Sequence, residues 1–262
     1  MIVHWQVTPV GHANNSGQVM APILLITRPE PSGAAFADRM RAAMGCGVEV
    51  ILSPVLRIEH CGSLPDLRRY KTLIFTSRHA VEAYVALGGV RDIPAYAVGD
   101  ATGRAAQAEG MRVRVCDGDA ASVIARVTAD KVSGPVLHLS GDHVARDIAK
   151  DLTQAGIVTD QAVIYRQVAV GLSAQACAAL SGERMVVLPL FSPRSARLLF
   201  EGTDVSAPLL VAAISEAAAR EVPADVAVRL DIARSPDLEA MVALTGRLLD
   251  AGKRLEGVRP AK

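Results

Sequence analysis

The sequence predicts an α/β fold built from two similar parallel-sheet domains, one inserted into the other. Short apolar segments alternate with amphipathic helical segments along the 262-residue chain, which is typical of parallel sheets covered by helices on both faces. The succession of segments repeats, because residues 73–127 resemble residues 185–249, and residues 136–170 resemble residues 23–58. The repeat is cyclic along the chain, so the middle of the sequence is predicted to be one complete domain inside the other.

The first part of the chain predicts only the beginning of a domain. Ser32 is placed to cap a helix, and Pro54 interrupts an extended run, as at a strand edge or a connector. The predicted elements up to residue 58 are a buried strand at 23–26, a helix at 33–44, a strand at 48–52 and its extended continuation to residue 58.

Residues 95–116 organise the predicted inserted domain. Gly99 breaks an apolar strand at 95–98, and Asp100 is placed to cap a helix that contains Thr102 in its first turn and ends at Gly110. Free N–H groups at a helix start directly after a buried strand favour an anion. The other predicted elements here are strands at 73–75, 113–115 and 136–139, helices at 79–87, 121–127 and 144–155, a turn at Ser140-Gly141 and an extended segment at 162–170.

Residues 209–232 repeat the strand-helix-strand pattern of that stretch less clearly. Ser215-Glu216 stand in the place of Gly99-Asp100, and Ser192 is matched with Thr76. The remaining predicted elements are a strand at 185–190, a helix at 195–200 and a final helix, capped by Ser235-Pro236-Asp237, that ends at residue 249.

These elements predict where the domains begin and end. Residues 21–54 plus 168–252 form a discontinuous domain, and residues 57–165 form the inserted domain, joined to it by a two-strand hinge beside a cleft. Residues 1–20 are predicted to be a disordered leader, with Met20 as a candidate start, and residues 253–262 a loose tail.

Composition argues against several classes of protein. A net charge of +1 and an aromatic content of 3% are unlike a nucleic-acid-binding surface. No apolar run approaches the about 20 residues of a membrane span, and residues 1–19 lack the pattern of a signal peptide. No C-x-x-C occurs, so zinc and redox motifs are unsupported and reduced thiols in the cytoplasm are expected. The cysteines are Cys46, Cys61, Cys116 and Cys177.

Six segments, taken together and in order, resemble the uroporphyrinogen-III synthase family over residues 23–250. No single segment is specific, and the ordered set within an inserted-domain arrangement carries the resemblance. It implies two similar flavodoxin-like parallel-sheet domains. The segments are LLITRP at 24–29, LIFTSRHAVEAY at 73–84, AYAVGDATGRAAQAEG at 95–110, LHLSGDHVARDIAKDL at 137–152, VIYRQV at 163–168 and FSPRSA at 191–196.

The resemblance also implies a reaction. The family cyclises linear hydroxymethylbilane to uroporphyrinogen III, inverts the last pyrrole ring and releases water, so the implied enzyme is a hydro-lyase. The hydroxymethyl group leaves to give an azafulvene, the substituted carbon of the terminal ring attacks it, and the resulting spiro-pyrrolenine opens and recloses inverted. The resemblance implies no metal and no organic cofactor.

The resemblance assigns roles to particular residues. Tyr165 matches the family tyrosine in the return crossing, where a phenol with a pKa of about 10 stays protonated and donates to the departing hydroxyl. Thr102 matches the threonine of the V-G-x-A-T segment and is implied to bind a carboxylate or the leaving group. The implied substrate-binding residues are Arg28, Thr76, Ser77, His79, Gly99, Asp100, Ser140, Gly141, Ser192, Ser195 and Ser215.

Three departures and one competing explanation bear on these assignments. His79 stands where the family often has Asn, and Ser140 replaces a residue that is frequently Arg. Ala217 and Ala218 occupy places where many members have threonine. Taken singly, each hydroxyl is better explained as a helix cap, whereas the whole set at equivalent strand ends favours a site for a polyanion.

The main alternative is a non-catalytic two-domain protein that binds a small molecule, such as a tetrapyrrole or an anion. A flavodoxin-like FMN binder is also considered, although the sequence lacks a phosphate loop of the G-x-x-x-x-G-K type. The expected partner is the small-molecule substrate hydroxymethylbilane, with transient contact to hydroxymethylbilane synthase, and with no nucleic acid and no membrane. A cytoplasmic monomer is expected.

Overall fold

The computed structural model describes residues 21–45, 47–144 and 146–258, and it divides the chain into two compact units. Unit 1 consists of the described residues up to Val55 together with those from Gly171 onward, and unit 2 is Leu56–Val170. Each unit has its own sheet. The predicted α/β class, with two parallel-sheet units of which one is inserted in the other, is confirmed.

The strands and helices alternate almost throughout. In chain order, the described strands are β1 (Ile23–Ile26), β2 (Glu49–Leu52), β3 (Leu56–His60), β4 (Thr72–Phe75), β5 (Ala95–Ala97), β6 (Val113–Val115), β7 (Val136–Gly141), β8 (Thr159–Ala169), β9 (Val186–Leu190), β10 (Leu209–Ala213) and β11 (Ala227–Ile232). The described helices are α1 (Ser32–Met44), α2 (Arg78–Ala86), α3 (Asp100–Ala108), α4 (Ala120–Ala129), α5 (Ile148–Gln154), α6 (Ala174–Ser181), α7 (Pro193–Phe200), α8 (Glu216–Ala219) and α9 (Leu238–Val258), with a 3₁₀ turn at Leu67–Arg69.

The sheet of unit 1 has the order β2-β1-β9-β10-β11, and every neighbouring pair is parallel. Its three central strands are buried along their whole length, which explains their continuous apolar runs. On one face, Leu24, Phe36 and Met40 share a core with Met241 and Leu244 of α9. This packing joins elements from the two separate parts of the chain that form unit 1.

The sheet of unit 2 has the order β3-β8-β7-β4-β5-β6, in which only the β3–β8 pair is antiparallel. Alternate residues of its strands enter different cores, as the two-residue period of a strand requires. Phe75 and Leu139 pack with Tyr84 of α2, whereas Ile74 and Val136 belong to the cluster that contains Ile148 of α5.

The two sheets share one strand order once their cyclic relation is taken into account. Counting from β1, unit 1 has the flavodoxin-like order 2-1-3-4-5, and counting from β7 through β8, β4, β5 and β6 gives unit 2 the same order. The predicted resemblance between residues 23–58 and 136–170 therefore corresponds to equivalent strand positions. Ligands in such sheets bind at the carboxyl ends of the two strands where the order reverses, β1 and β9 in unit 1 and β7 and β4 in unit 2.

Two predicted helix caps are wrong by one residue. Helix α3 begins at Asp100 itself, because Gly99 has the extended backbone of an N-cap residue, and no side-chain cap bond is made there. Helix α1 likewise includes Ser32, and Pro31 is its N-cap. Asp100 therefore contributes a first-turn negative charge, which the helix dipole favours, instead of a capping hydrogen bond.

The predicted turn at Ser140-Gly141 is also wrong. Both residues belong to β7, because the long strand β8 continues to pair with them. The helix predicted at 144–155 consequently begins only at Ile148, where the Asp147 side chain accepts a hydrogen bond from the Lys150 N–H at 3.0 Å. Ser140-Gly141 therefore does not directly precede a helix start.

Two C-terminal features were not predicted. Helix α6 had no predicted counterpart, and α9 continues to Val258, past its predicted end at residue 249 and into the segment predicted to be loose. Contacts with other elements of unit 1 explain the longer helix. Glu256 Oε1 accepts a hydrogen bond from the Met185 N–H at 2.7 Å, and Gly252 lies against Pro22. The predicted leader 1–20, Cys46 and residues 259–262 lie outside the described residues.

Candidate active site

In unit 2 the candidate site lies where the strand order reverses. Thr76 and Ser77 directly follow β4, and Ser140 and Gly141 end the neighbouring strand β7. Tyr165 of β8 pairs with Gly141. Five site residues predicted from separate segments of the sequence thus come together near the carboxyl ends of neighbouring strands in one sheet.

A β-bulge places the Tyr165 side chain. Ser140 pairs with Val163, but Gly141 pairs with Tyr165, so Ile164 is an extra residue on β8. A Cβ atom on Gly141 would lie 2.6 Å from Cζ and 2.9 Å from the hydroxyl oxygen of Tyr165. Gly141 is therefore required for the close approach of the phenol to the β7 backbone.

The phenol of Tyr165 is largely buried. Its residue is 5% exposed and belongs to the core of unit 2, and its ring centroid lies 6.0 Å from that of His79. Burial raises the pKa of Tyr165, opposed by a hydrogen bond with the Ser77 side chain and assisted by the negative charge of Asp142. The phenol is therefore protonated at neutral pH.

Ser77 is the N-cap residue of α2. Its Oγ accepts a hydrogen bond from the His79 backbone N–H at 3.1 Å. His79 Nδ1 lies 3.0 Å from Glu82 Oε2, and this hydrogen bond is the main reason that the pKa of Glu82 is lowered. His79 is thus held by a carboxylate one helical turn away, in addition to any contact with a ligand.

Thr76 has a buried histidine as its partner. Thr76 Oγ1 lies 3.3 Å from Nε2 of His138, a β7 residue that is 1% exposed. Burial lowers the pKa of His138 to about 4, against the negative charge of Asp147, so its imidazole is neutral near pH 7. His138 was not predicted as a site residue, although a histidine inside the apolar run Val-Leu-His-Leu is a visible signal.

Ser140 is fully buried, and its Oγ accepts a hydrogen bond from Gln161 Nε2 at 2.8 Å. Gln161 stands on β8 opposite His138. Ser140 is thus bonded to a side chain of the neighbouring strand β8, and its predicted association with a helix start does not occur.

The start of α3 follows β5 at the same sheet edge. Gly99 is the N-cap, and a Cβ atom there would lie 3.3 Å from the Cα of Gly118. Asp100 is exposed, whereas Thr102 is 5% exposed. The anion site expected at the N–H groups of this first turn stays a prediction.

Arg78 was also missed by the sequence analysis. It is the first residue of α2, where the helix dipole disfavours a positive charge. Its Nε and Nη2 atoms are buried without a hydrogen-bond partner among the described residues, and Glu82 Oε1 lies 3.8 Å from Nε. The cue was its position directly after the Thr-Ser pair.

In unit 1 the predicted residues occupy the equivalent strand ends. The Arg28 guanidinium lies 3.9 Å from the ring centroid of Phe191, which itself packs edge-on against Phe36. Ser192 Oγ accepts from the Ser195 N–H at 3.0 Å and donates to Ser195 Oγ at 2.9 Å.

The helix caps also correct one predicted correspondence. Ser192 caps α7 as Ser77 caps α2, so Ser192 corresponds to Ser77 and not to Thr76. Ser215 caps α8 by accepting from the Ala218 N–H at 3.3 Å, in the position that Gly99 has before α3.

Comparisons with known proteins identify the family. The family model described as uroporphyrinogen-III synthase HemD matches residues 38–243, most of the chain. The chain belongs to the uroporphyrinogen-III synthase family. The resemblance inferred from the six sequence segments is thereby confirmed.

Solved structures of uroporphyrinogen-III synthases share the fold. The enzyme from Helicobacter pylori is 18% identical, with a TM-score of 0.62 over 87% of this chain and 100% of that chain. A mutant of the Thermus thermophilus enzyme is 16% identical, with a TM-score of 0.51 over 88% of this chain and 100% of that chain. The comparison with curated proteins finds no match.

Two further observations concern this uroporphyrinogen-III synthase family member. Within residues 21–45, 47–144 and 146–258, no group of three or more His, Cys, Asp or Glu side chains is arranged to hold a metal ion. None of the helices in the described part of the chain is long and apolar enough to span a membrane.

Proposed function

We propose that this protein is a uroporphyrinogen-III synthase, a hydro-lyase that cyclises hydroxymethylbilane to uroporphyrinogen III with inversion of ring D and loss of water. The observation that carries the proposal is the match of the family model to residues 38–243. The two flavodoxin-like units, with polar residues at the strand ends where ligands bind in such sheets, are consistent with it. No observation favours a non-catalytic binding protein.

The substrate carries acetate and propionate groups, so binding requires donors for several carboxylates. In unit 2 we propose that these are the N–H groups at the starts of α2 and α3 together with the hydroxyls of Thr76 and Ser77. In unit 1 the proposed donors are Arg28 and the first turns of α7 and α8. The remaining proposed binding residues are His79, Gly99, Asp100, Ser140, Gly141, Ser192, Ser195 and Ser215.

For the chemical step we propose Tyr165 as the proton donor to the departing hydroxyl group. Its raised pKa keeps the proton on the phenol, and its close approach to Gly141 places the ring at the carboxyl end of β7. Thr102 is proposed to contact a carboxylate or the leaving group. The azafulvene is reactive once formed, so the main contribution of the protein is to orient the terminal ring for attack by its substituted carbon.

Freshly prepared hydroxymethylbilane tests the function. The products are oxidised and separated by isomer, with a heat-inactivated sample as control. The type III isomer in excess is expected. If only the type I isomer forms, at the rate of the control, the proposed function is wrong.

Three finer points extend the proposal. We propose that the protein acts as a cytoplasmic monomer and receives hydroxymethylbilane through transient contact with hydroxymethylbilane synthase. Sedimentation of the purified protein tests the monomer, and a self-associating species contradicts it. Adding an inert carrier protein tests the transfer. If hydroxymethylbilane reaches this protein by free diffusion, any carrier affects the rate of type III isomer formation equally.

A further inference from the structure

His138 and Thr76 form a polar pair that the reaction described above does not explain. His138 lies in the middle of β7, its side chain is 1% exposed, and its Nε2 is 3.3 Å from Thr76 Oγ1. Its other ring nitrogen, Nδ1, is buried and has no hydrogen-bond partner among the described residues. Buried polar side chains are usually satisfied, so a buried ring nitrogen without a hydrogen-bond partner needs an explanation.

The orphaned nitrogen indicates which tautomer is present. If Nε2 accepted a hydrogen bond from Thr76, the ring hydrogen would sit on Nδ1 as a buried N–H without an acceptor. If Nε2 donates, Nδ1 is a bare lone pair, and unsatisfied buried acceptors are less rare than orphaned N–H donors. The imidazole is neutral, so one nitrogen carries hydrogen and the other does not. The Nε2–H tautomer is therefore favoured.

This tautomer determines what the Thr76 hydroxyl does. A hydroxyl has one hydrogen to donate and two lone pairs to accept with. When Nε2–H of His138 occupies a lone pair of Thr76, the Thr76 hydrogen is free to be donated to another group. Thr76 is only partly buried and directly follows β4, at the strand reversal of unit 2.

We propose that His138 is a positioning residue: its Nε2–H donates to Thr76 Oγ1 and thereby directs the Thr76 hydroxyl hydrogen to a carboxylate of the substrate. The inference rests on the proposed function for the identity of the carboxylate, but not for the tautomer. His138 itself touches no substrate and acts through Thr76.

Burial of His138 supports a role other than stability. A histidine with one unsatisfied nitrogen is a costly residue at a buried position that pairs with the apolar Ile74 of β4. Replacement by leucine removes the unsatisfied atom and keeps a similar volume, so it is not expected to lower the free energy of unfolding. A loss of substrate affinity without a loss of stability would then separate positioning from packing.

The first experiment measures the tautomer directly. Two-dimensional ¹H–¹⁵N spectra of the histidine side chains, recorded on the full chain near neutral pH and assigned by loss of one signal set in His138→Gln, are expected to show a protonated Nε2 and a bare Nδ1. A protonated Nδ1, or an imidazolium, overturns the proposal. This result does not depend on activity toward hydroxymethylbilane.

The second experiment measures KM and kcat for hydroxymethylbilane. Thr76→Val and His138→Leu are each expected to raise KM about tenfold with kcat unchanged, as the loss of one hydrogen bond to a charged group does. His138→Gln, which can keep an N–H donor near the position of Nε2, should restore a KM close to wild type. In the Thr76→Val background, His138→Leu should have no further effect.

Thr245→Val is the matched control. Thr245 of α9 also has a fully buried hydroxyl oxygen without a hydrogen-bond partner among the described residues, but it belongs to unit 1 and is not among the proposed binding residues. Its KM should be unchanged. The positioning role is wrong if His138→Leu leaves KM unchanged. If instead the wild-type protein yields no type III isomer, the proposed function is wrong, and the spectra alone decide the tautomer.

Discussion

At the scale of single residues, two serine hydroxyls of unit 2 are acceptors in hydrogen bonds within the fold. Ser77 accepts a hydrogen bond from a backbone N–H, and Ser140 accepts one from Gln161. An accepted bond leaves the hydroxyl hydrogen available, because a hydroxyl donates and accepts with different sites. Helix capping and substrate binding are therefore not exclusive alternatives for Ser77, because the oxygen that caps α2 keeps a hydrogen for another group.

Tyr165→Phe tests the proposed proton donor. The phenylalanine ring keeps the packing against Gly141 but removes the hydroxyl, so kcat is expected to fall about a hundredfold, while the type III isomer remains the main product. Initial rates with separated isomers measure this. Tyr84→Phe is the control, because its hydroxyl donates to the Val90 carbonyl at 2.7 Å within the fold. Equal kcat for Tyr165→Phe and wild type would exclude Tyr165 as the donor.

The lowered pKa of His138 also predicts that the free energy of unfolding depends on pH. Its pKa is lowered from 6.5 to about 4 in the folded protein, so the unfolded chain binds a proton below pH 6.5 that the folded protein does not bind until about pH 4. The free energy of unfolding therefore falls as the pH falls through this window, by about 3 kcal/mol from this group. Above pH 6.5 the group contributes no pH dependence.

Urea unfolding of wild type and His138→Leu at several pH values measures this effect. The carboxylates titrate in both proteins, so the difference between the two curves isolates His138. The variant is expected to lose less stability between pH 6.5 and pH 4. Parallel curves would show that His138 is protonated in the folded protein or is not buried as described.

At the scale of elements, the pairing of β7 with β8 decides the geometry of the site. The two strands stay in register up to Ser140, and then the extra residue Ile164 turns Tyr165 toward Gly141. The glycine is needed there because the phenol occupies the space of a Cβ atom. One bulge and one glycine thus place the proposed catalytic side chain.

Gly141→Ala is expected to lower the free energy of unfolding by about 1–3 kcal/mol, because the new methyl group would overlap the Tyr165 ring. Urea unfolding measures it, and the loss should shrink in a Tyr165→Leu background, where the ring is absent. Gly171→Ala is the control, since nothing lies within 4 Å of a Cβ atom there. Equal effects at the two glycines would contradict the close approach of the phenol.

The same elements show which features a sequence can predict. Buried strands such as β1 and β9 are continuous apolar runs, and they were predicted to within a residue. Ser140-Gly141 has the composition of a turn but is held extended by β8, a partner distant in sequence. The bulge at Ile164 and the bond between Thr76 and His138 also depend on pairing between distant strands. Local patterns contain no information about such contacts, so the side-chain arrangement of the site could not be predicted.

At the scale of the whole molecule, unit 2 has what an independent domain needs. It is one continuous stretch, Leu56–Val170, with its own clusters of buried side chains. Its two ends are neighbours, because Leu56 of β3 pairs with Ala169 of β8. Unit 1 is interrupted by this stretch, yet Met241 and Leu244 pack with Leu24 and Phe36 across the interruption.

Unit 2 expressed alone, as residues 56–170, is therefore expected to fold. Its circular dichroism should show both helix and strand, and its urea unfolding should be a single cooperative transition. Unit 1 should fold as well when a short Gly/Ser linker joins Val55 to Gly171. A 56–170 fragment without cooperative unfolding would show that its fold depends on unit 1.

The shared strand order has a consequence for how the chain can be cut. If residue 258 were linked to residue 21 and the polypeptide opened between Val170 and Gly171, its strands would run β9, β10, β11, β1, β2 and then β3 to β8. Apart from the added edge strand β3, this permutant is a tandem array of two modules with identical connectivity, each uninterrupted. The insertion of one module in the other thus depends on where the polypeptide is opened, and the two sheets themselves have the same strand order.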